Sequence, residues 1–286
     1  MNKRKAKRII SAVVITALIV IVCVIGLIIS KTRLPDGIPD EALRAVFFDV
    51  GEADCSVFYG DGIAIMTDAP ESMTKQATGM LMRLNIKRLD FFIITHYDYD
   101  HCGDALKIID EFEIDKILLP EPIKGKTDRY NEIVSRAGAD KCVTVKTGQA
   151  FDMNGVHIDI IAPNGIGKDN NDICIAYRLT YKDASVLMCS DIDADEEKVI
   201  LSKYGDTIKS DILKVSHHGS KYSSGEKFIK TVKAKYAIIS CGYNSYGHPD
   251  LEIADRLKAA GAEVLMTQSS GVVIFDLKSG GVERVK

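Results

Sequence analysis

The apolar run Phe91-Phe92-Ile93-Ile94 leads directly into Thr95-His96-Tyr97-Asp98-Tyr99-Asp100-His101-Cys102-Gly103. Four side chains able to bind a metal, His96, Asp98, Asp100 and His101, therefore follow directly after a strand that must be buried. This constrains the fold strongly, because the strand has to end at the rim of a packed sheet. A tight loop there turns His96 and Asp98 toward one point and Asp100 and His101 toward another. Such an arrangement suits two metals sharing a site. A polar surface loop with incidental histidines is the competing explanation, and the composition of the segment argues against it.

Five of the six histidines fall in three short clusters: His96 with His101, His217 with His218, and His248. Neutral imidazole is the commonest side-chain ligand for borderline metals. His157 lies within a strand pattern and reads as structural. His217 and His218 follow the apolar run Ile212 to Val215 and abut Gly219. Their position suggests one ligand plus one group that supports it or touches substrate, and either histidine fits either role. Asp191 follows the strand 184–189. Taken alone it would be expected near a helix cap, a role open also to Asp193 or Asp195. Beside the first cluster it becomes a bridging carboxylate. His248, in Tyr246-Gly247-His248-Pro249, is either a surface residue or a catalytic or substrate-binding one.

Residues 9–29 contain no charge and no proline. As a helix rising 1.5 Å per residue they would span about 30 Å, the thickness of a bilayer core. Lys3, Arg4, Lys5, Lys7 and Arg8 precede the run and only Lys31 follows it closely. Positive charge stays on the cytoplasmic side, so the expected topology is a single-pass cell-membrane protein with its body outside. A cleaved signal peptide is the alternative, but its apolar core would be shorter and followed by small residues. A lipid-modified Cys23 is rejected, since more apolar chain follows it. The expected organisation is a basic segment and transmembrane anchor at 1–30, a linker at 31–42 with Pro35, Gly37 and Pro39, and one domain at 43–286.

Beyond residue 32 the chain carries 31 basic against 40 acidic residues. An acidic body does not draw in nucleic acid by long-range attraction. Lys209, Lys214, Lys221 and Lys227 near the second histidine pair offer a local basic patch or simply solvated charges. Aromatic content is 7% with no tryptophan, so no stacking platform for bases stands out. None of the seven cysteines has metal-finger spacing, and buried inert thiols are expected.

Strands are expected at 45–50, 55–59, 63–67, 91–94, 116–119, 142–145, 156–161, 173–180, 184–189, 211–216, 235–240, 264–267 and 271–276. Helices are expected at 74–84, 104–112, 194–203, 224–232 and 250–260. This mixture implies a layered α/β architecture.

These patterns in this order resemble the metallo-β-lactamase superfamily, and more narrowly the soluble hydrolase domain of the ComEC-type competence proteins. Phe48-Asp49-Val50-Gly51-Glu52-Ala53-Asp54 is similar to that group's opening D-V-G-Q-G-D, departing at Glu52 and Ala53. Thr95 to Gly103 resembles its H-x-D-x-D-H-x-G. Asn171-Asp172-Ile173-Cys174 resembles N-[ND]-x-S with Cys174 in place of Ser, and Ser190-Asp191 stands where the group has G-D. Lys214-Val-Ser-His-His-Gly-Ser220 and Asn244-Ser-Tyr-Gly-His-Pro249 match closely.

The resemblance implies an αββα sandwich, here preceded by one N-terminal transmembrane helix, with one or two divalent ions at one edge. Asp98 stands where many superfamily members have a second His, and Asn171 or water would complete the first metal position. More oxygen ligands shift preference from zinc toward manganese. The implied ligands are His96, Asp98, Asp100, His101, Asp191 and one or both of His217 and His218. Asp100, His218 and His248 are the implied catalytic groups. The expected activity is hydrolysis of a phosphodiester, with DNA among the candidates. The alternatives are an extracellular hydrolase of a phosphocholine or cell-wall ester, or an anchored binding protein without catalysis. No obligate protein partner is implied.

Overall fold

Short apolar strands separated by amphipathic helices can bury their faces only by stacking sheets beneath helices. The computed structural model, which describes residues 13–22, 37–71, 76–125, 127–164 and 169–286, has this form. The chain divides into two units, Met1–Asp36 and Gly37–Lys286.

In the first unit residues 13–22 form a helix, α1, whose valines, isoleucines and Leu18 are exposed. Residues 9–12 and 23–29 of the expected span lie outside the described residues, as do Cys23 and residues 31–36 of the expected linker. Among the described residues no helix is long and apolar enough to cross a membrane.

The second unit holds two sheets. Strands β1 (Leu43–Phe47), β2 (Ser56–Gly60), β3 (Ile63–Thr67), β4 (Arg88–Ile93), β5 (Glu113–Leu119) and β6 (Cys142–Thr144) belong to the first, together with β14 (Val273–Lys278) and β15 (Gly281–Arg284). Its order is β15-β14-β1-β2-β3-β4-β5-β6. The second is built from β7 (Ala150–Met153), β8 (Val156–Ala162), β9 (Ala176–Tyr181), β10 (Ala184–Met188), β11 (Ile212–Lys214), β12 (Tyr236–Ile239) and β13 (Glu263–Met266). Its order is β13-β12-β11-β10-β9-β8-β7. Each sheet is parallel in one half, β3 to β6 and β10 to β13, and antiparallel in the other.

Parallel neighbours need crossover connections, and helices supply them. In the first sheet these are α2 (Ala77–Arg83), the single turn α3 (Tyr99–Cys102), α4 (Ala105–Glu111) and α5 (Asp128–Ala137). In the second they are α6 (Ala194–Tyr204), α7 (Glu226–Val232) and α8 (Leu251–Ala259), with a short α9 (Thr267–Ser270) leading back to the first sheet. Alternation along β10 shows how the layers form. Val186 and Met188 pack with Phe47, Phe58 and Ile93 of the first sheet. Leu187, pointing the other way, packs with Ile200 of α6, Phe228 of α7 and Leu257 of α8. Phe47 anchors the inter-sheet core edge-on to Phe58 and Phe275, at 6.3 and 6.4 Å between centroids.

Most expected elements occur where the periodicity placed them. The expected strand 211–216 is shorter, because Ser216 to Gly219 already form a 3₁₀ turn. Helix α5 and strands β7 and β15 were not expected. Only Ile133 of α5 is buried, and β7 and β15 are mostly half-buried or exposed, so none carries a strong apolar signal. Asp193 caps α6, accepting from the backbone N–H of Asp195 and Glu196, which leaves Asp191 free for another role.

The loop after β12 and the loop after β1 bring the backbones of the two sheets into close contact. A Cβ on Gly242 would lie 2.5 Å from the backbone of Gly51 and 2.6 Å from the nitrogen of Glu52. Gly242→Ala is therefore expected to destabilise the protein by roughly 1–3 kcal/mol, since backbone cannot yield as a flexible side chain does. The urea midpoint of unfolding reads this directly, and an unchanged midpoint would contradict it.

Candidate metal centre

The candidate ligands stand at the carboxyl ends of the parallel strands of both sheets. After β3, Asp68 turns in the left-handed region (φ 59°), and its backbone N–H donates to Ile93 O at 2.9 Å. After β4, Thr95 donates to the Asp68 carboxylate from both its backbone N–H and its hydroxyl, each at 2.8 Å. Asp98 then precedes α3, which places Asp100 and His101 one turn on. From the second sheet, Ser190 (φ 49°) precedes Asp191, and β11 is followed by His217 (φ 49°) and His218 (φ 52°). Consecutive non-glycine residues in the left-handed region are strained, and such strain concentrates at functional sites. The bond from His217 N–H to Ser190 O, 2.8 Å, ties the two loops together.

The loops bring four of the expected ligands into one group. One ligand atom from each of Asp100, His101, Asp191 and His218 lies within 4.8 Å of the others. His101 Nε2 is 3.4 Å from Asp191 Oδ1 and 3.9 Å from Asp100 Oδ2. His218 Nε2 is 3.5 Å from Asp100 Oδ2 and 3.7 Å from Asp191 Oδ2. His96 and Asp98 adjoin the group. The His96 ring lies 4.0 Å from that of His101, and its Nε2 is 3.5 Å from Asp98 Oδ2. His217 stands further out, with Nε2 3.8 Å from Asp191 Oδ2 and its ring 5.5 Å from that of His248. His248 and Asn171 line the same pocket. The neighbour that bonds Asp98 is Asn170, whose Nδ2 donates to Oδ1 at 2.5 Å. His157 is remote from this group and bonds Asp152 and Asp159 at 2.7 and 3.0 Å, consistent with a structural role.

Hydrogen bonding around the group leaves a specific deficit. His101 Nδ1–H donates to Asp68 Oδ2 at 2.8 Å, and His218 Nδ1–H donates to Ser240 O at 3.0 Å. These bonds favour the tautomer whose Nε2 lone pair faces the centre. Yet Nε2 of His96, His101 and His218 and Oδ1 of Asp191 are buried with no hydrogen-bond partner. Leaving a buried polar atom unpaired costs about 1–3 kcal/mol, so a fold that clusters four of them is built to receive something there. Imidazole nitrogen plus carboxylate oxygen is the donor set of a divalent transition metal.

The charges respond to one another in the same way. Burial pushes the Asp191 carboxyl up, but His101 and His218 beside it hold it well below the usual carboxylate range. Burial works against protonating His101, but Asp191 and Asp68 raise it well above the ordinary imidazole value. His218 is likewise disfavoured by burial, then raised to about 9 by Asp191, Asp100 and Asp54. The carboxylates thus draw positive charge to this centre. His217 is instead lowered, chiefly by its own burial.

Several residues without an assigned role in the sequence support the site. Asp68 orients His101, and a lone Asp closing strand 63–67 was its only signal. Asp54 forms a buried ion pair with Lys214 at 2.7 Å. Lys214 is therefore not part of a surface basic patch, because its side chain is only 2% exposed. Glu52 accepts from His248 Nδ1–H, from the Gly242 N–H and from Asn244 Nδ2, each at 3.0 Å. Asn244 Oδ1 accepts in turn from the N–H groups of Tyr246, Gly247 and His248, at 3.0, 2.9 and 3.1 Å. The Asn-Ser-Tyr-Gly-His segment is thus a hydrogen-bonded knot that presents His248.

The family model described as the metallo-beta-lactamase superfamily matches residues 49–243. "Competence protein ComA" of Neisseria gonorrhoeae is 28% identical over 255 residues, covering 87% of this chain and 34% of the relative. "ComE operon protein 3" of Bacillus subtilis is 29% identical over 201 residues, covering 68% of this chain and 25% of the relative. The chain therefore spans about a third or less of the length of these relatives. Among solved structures, Igni18, a metallo hydrolase from the archaeon Ignicoccus hospitalis, aligns with a TM-score of 0.56 at 18% identity, over 82% of this chain and 100% of that one. The metallo-beta-lactamase fold protein YhfI from Bacillus subtilis aligns at 0.53 and 13% identity, over 81% of this chain and 99% of that one. These structural likenesses speak to the fold alone. With the family match running from Asp49 through the histidine-bearing strand ends to Tyr243, this chain belongs to the metallo-β-lactamase superfamily.

Proposed function

We propose that the protein is a metal-dependent phosphodiesterase, held at the outer face of a membrane by residues 9–29. The observation that carries the catalytic reading is the set of four buried, unpartnered ligand atoms converging from His96, His101, Asp191 and His218. The similarity to competence proteins supports a phosphodiester, DNA included, as substrate.

A zinc or manganese ion bound here would polarise a phosphoryl oxygen and lower the pKa of water. Asp100, His101, Asp191 and His218 would hold it, with His96 and Asp98 completing a second position if two ions bind. Asp191, with one oxygen toward His101 and the other toward His218, would join both rings in holding the ion. Asp68 fixes the His101 ring. His248, with Nδ1–H committed to Glu52, keeps Nε2 for the reacting groups and is placed to protonate the leaving oxygen. His217, on the pocket rim, is placed to meet a phosphoryl oxygen.

A second reading has one observation in its favour. Glu52, Asp98, Asp100 and Asp191 line the pocket, and among the described residues no Lys or Arg does. An ester carrying a cationic group, such as a phosphocholine, suits such a wall. Hydrolysis of choline esters without cleavage of nucleotide diesters would select it.

The reading is tested by metal content and turnover of bis-p-nitrophenyl phosphate by the full-length protein. Asp100→Ala and His101→Ala are expected to lose bound metal and at least about a hundredfold in activity, a drop of ~2.7 kcal/mol or more in transition-state stabilisation. Undiminished turnover in protein stripped of metal would refute it. Asp68→Asn should keep the fold and weaken metal affinity roughly 10–100-fold, as removal of a ligand's orienting partner does. Equilibrium dialysis against a chelator measures this, and wild-type affinity would show that Asp68 does not act through His101.

The raised imidazole pKa values fix a sign. In the metal-free protein the neighbouring carboxylates favour the protonated form of His101 and His218. The stabilisation this gives is complete below the unfolded value near 6.5 and is lost, for His218, as pH rises through about 9. A metal must displace those protons, so binding should release them and affinity should fall with falling pH. Calorimetry in two buffers of different ionisation enthalpy reads the proton count. Zero release at pH 7 would contradict the assignment of these two rings.

A further inference from the structure

The mouth of the candidate centre is aromatic as well as acidic. Tyr99, Tyr243 and Tyr246 line the same pocket as Asp100, Asp191 and His218. They are 68%, 99% and 79% exposed. The fold gains almost nothing from rings left so open, and three around one cleft form apolar surface available to a ligand. They come from two loops, one from each sheet. Tyr99 begins α3 between Asp98 and Asp100. Tyr243 and Tyr246 lie in the loop that presents His248, on either side of Asn244. The Tyr246 ring is within 28° of parallel to that of His248, with centroids 5.9 Å apart, so a planar group on Tyr246 would extend a stack leading to the imidazole. The Arg129 guanidinium lies 5.7 Å from the centroid of Tyr99 and is held there by bonds to the carbonyls of Cys102 and Gly103, 2.7 and 2.8 Å.

The charge on the pocket wall narrows what such rings can recognise. A polyanion finds no Lys or Arg among the described lining residues, and of the four carboxylates there Asp98, Asp100 and Asp191 would be taken up by the metal, leaving Glu52. Lys209, Lys227, Lys230 and Lys233 lie along a separate groove with Asp206 and Glu226. The backbone of a nucleic acid would thus meet fixed positive charge only at the metal and at Arg129 beside Tyr99, and the remaining affinity would have to come from flat, uncharged groups. Nucleobases of a single strand are such groups, whereas paired bases in a duplex keep their faces stacked on one another. From the low aromatic content no stacking platform stands out, and the clustering of three exposed tyrosines at one cleft is a feature that composition does not carry.

We propose that Tyr99, Tyr243 and Tyr246 are the base-binding residues of the centre, holding unpaired nucleobases on either side of the phosphate to be cleaved. The substrate is then a single strand recognised by its bases more than by its backbone charge. The inference rests on the phosphodiesterase reading for the identity of the site, but its test does not need turnover.

The test is calorimetric titration of the manganese-loaded full-length protein with a short phosphorothioate oligothymidylate and with an abasic strand of equal length. Base-bearing DNA should bind about tenfold tighter or more. Each of Tyr99→Ala, Tyr243→Ala and Tyr246→Ala should weaken it roughly fivefold or more, while the Phe variants stay within about twofold. The slope of log affinity against log salt should correspond to about one or two phosphates. Equal binding of the two strands would overturn the proposal, as would Phe variants as weak as Ala variants or a phosphocholine ester that displaces the strand at lower concentration than a nucleotide does. Turnover of bis-p-nitrophenyl phosphate by the same preparation separates the two claims. Turnover without base preference removes the stacking proposal alone, and base preference without turnover removes the phosphodiesterase reading alone.

Discussion

Asp191 is the point on which the site depends. It follows β10, the central strand of the second sheet, is only 3% exposed, and turns its two oxygens in different directions. Oδ1 faces His101, carried by the first sheet, and Oδ2 faces His218, carried by the second. A carboxylate so buried is stable only when opposite charge surrounds it. A divalent cation would provide that charge, and without one the carboxylates favour protonation of the rings beside them. The closeness of the two sheet edges, the left-handed turns at Ser190, His217 and His218, and the unpartnered Nε2 atoms all make physical sense around that one group.

Behind it lies a polar layer that holds the edges in register. Ser190 donates to Thr95 Oγ1 at 2.8 Å, Thr95 bonds Asp68, and Asp68 bonds His101, so second sheet and first are joined through hydroxyl and carboxylate. The Lys214–Asp54 pair makes a second link between them. Replacing such a pair by apolar residues is often tolerated, whereas removing one member leaves a buried charge exposed to nothing. The arrangement favours one relative placement of the loops over many compact alternatives, which a metal site requires more than it requires extra stability.

Much of this was legible in the sequence, for identifiable reasons. The strands carrying the site are continuous apolar runs, and their ends are marked by residue types that have little reason to be there otherwise. His96, Asp98, Asp100 and His101 stood out on that basis, whereas Asp191 alone read as a helix cap and gained its role only beside them. The choice between His217 and His218 did not, because adjacent residues in a strand-like segment would point to opposite faces. Only the two left-handed turns decide that His218 goes inward. Asp68 was missed because a single Asp after a strand resembles any turn residue. Lys214 was read as a surface charge because its partner, Asp54, is distant in sequence. The tyrosines were overlooked because composition averages over the chain, whereas exposure at one cleft is a property of the fold. Helix α5 escaped notice because it buries a single isoleucine.

The account stands on the position of a cation among Asp100, His101, Asp191 and His218. Anomalous diffraction from crystals grown with manganese or zinc locates it most directly. The expected result is a peak about 2.0–2.2 Å from His101 Nε2, His218 Nε2 and an oxygen of Asp191. A peak found only elsewhere, such as beside the surface pair His157 and Asp152, or no peak in a well-ordered site at saturating metal, would contradict it.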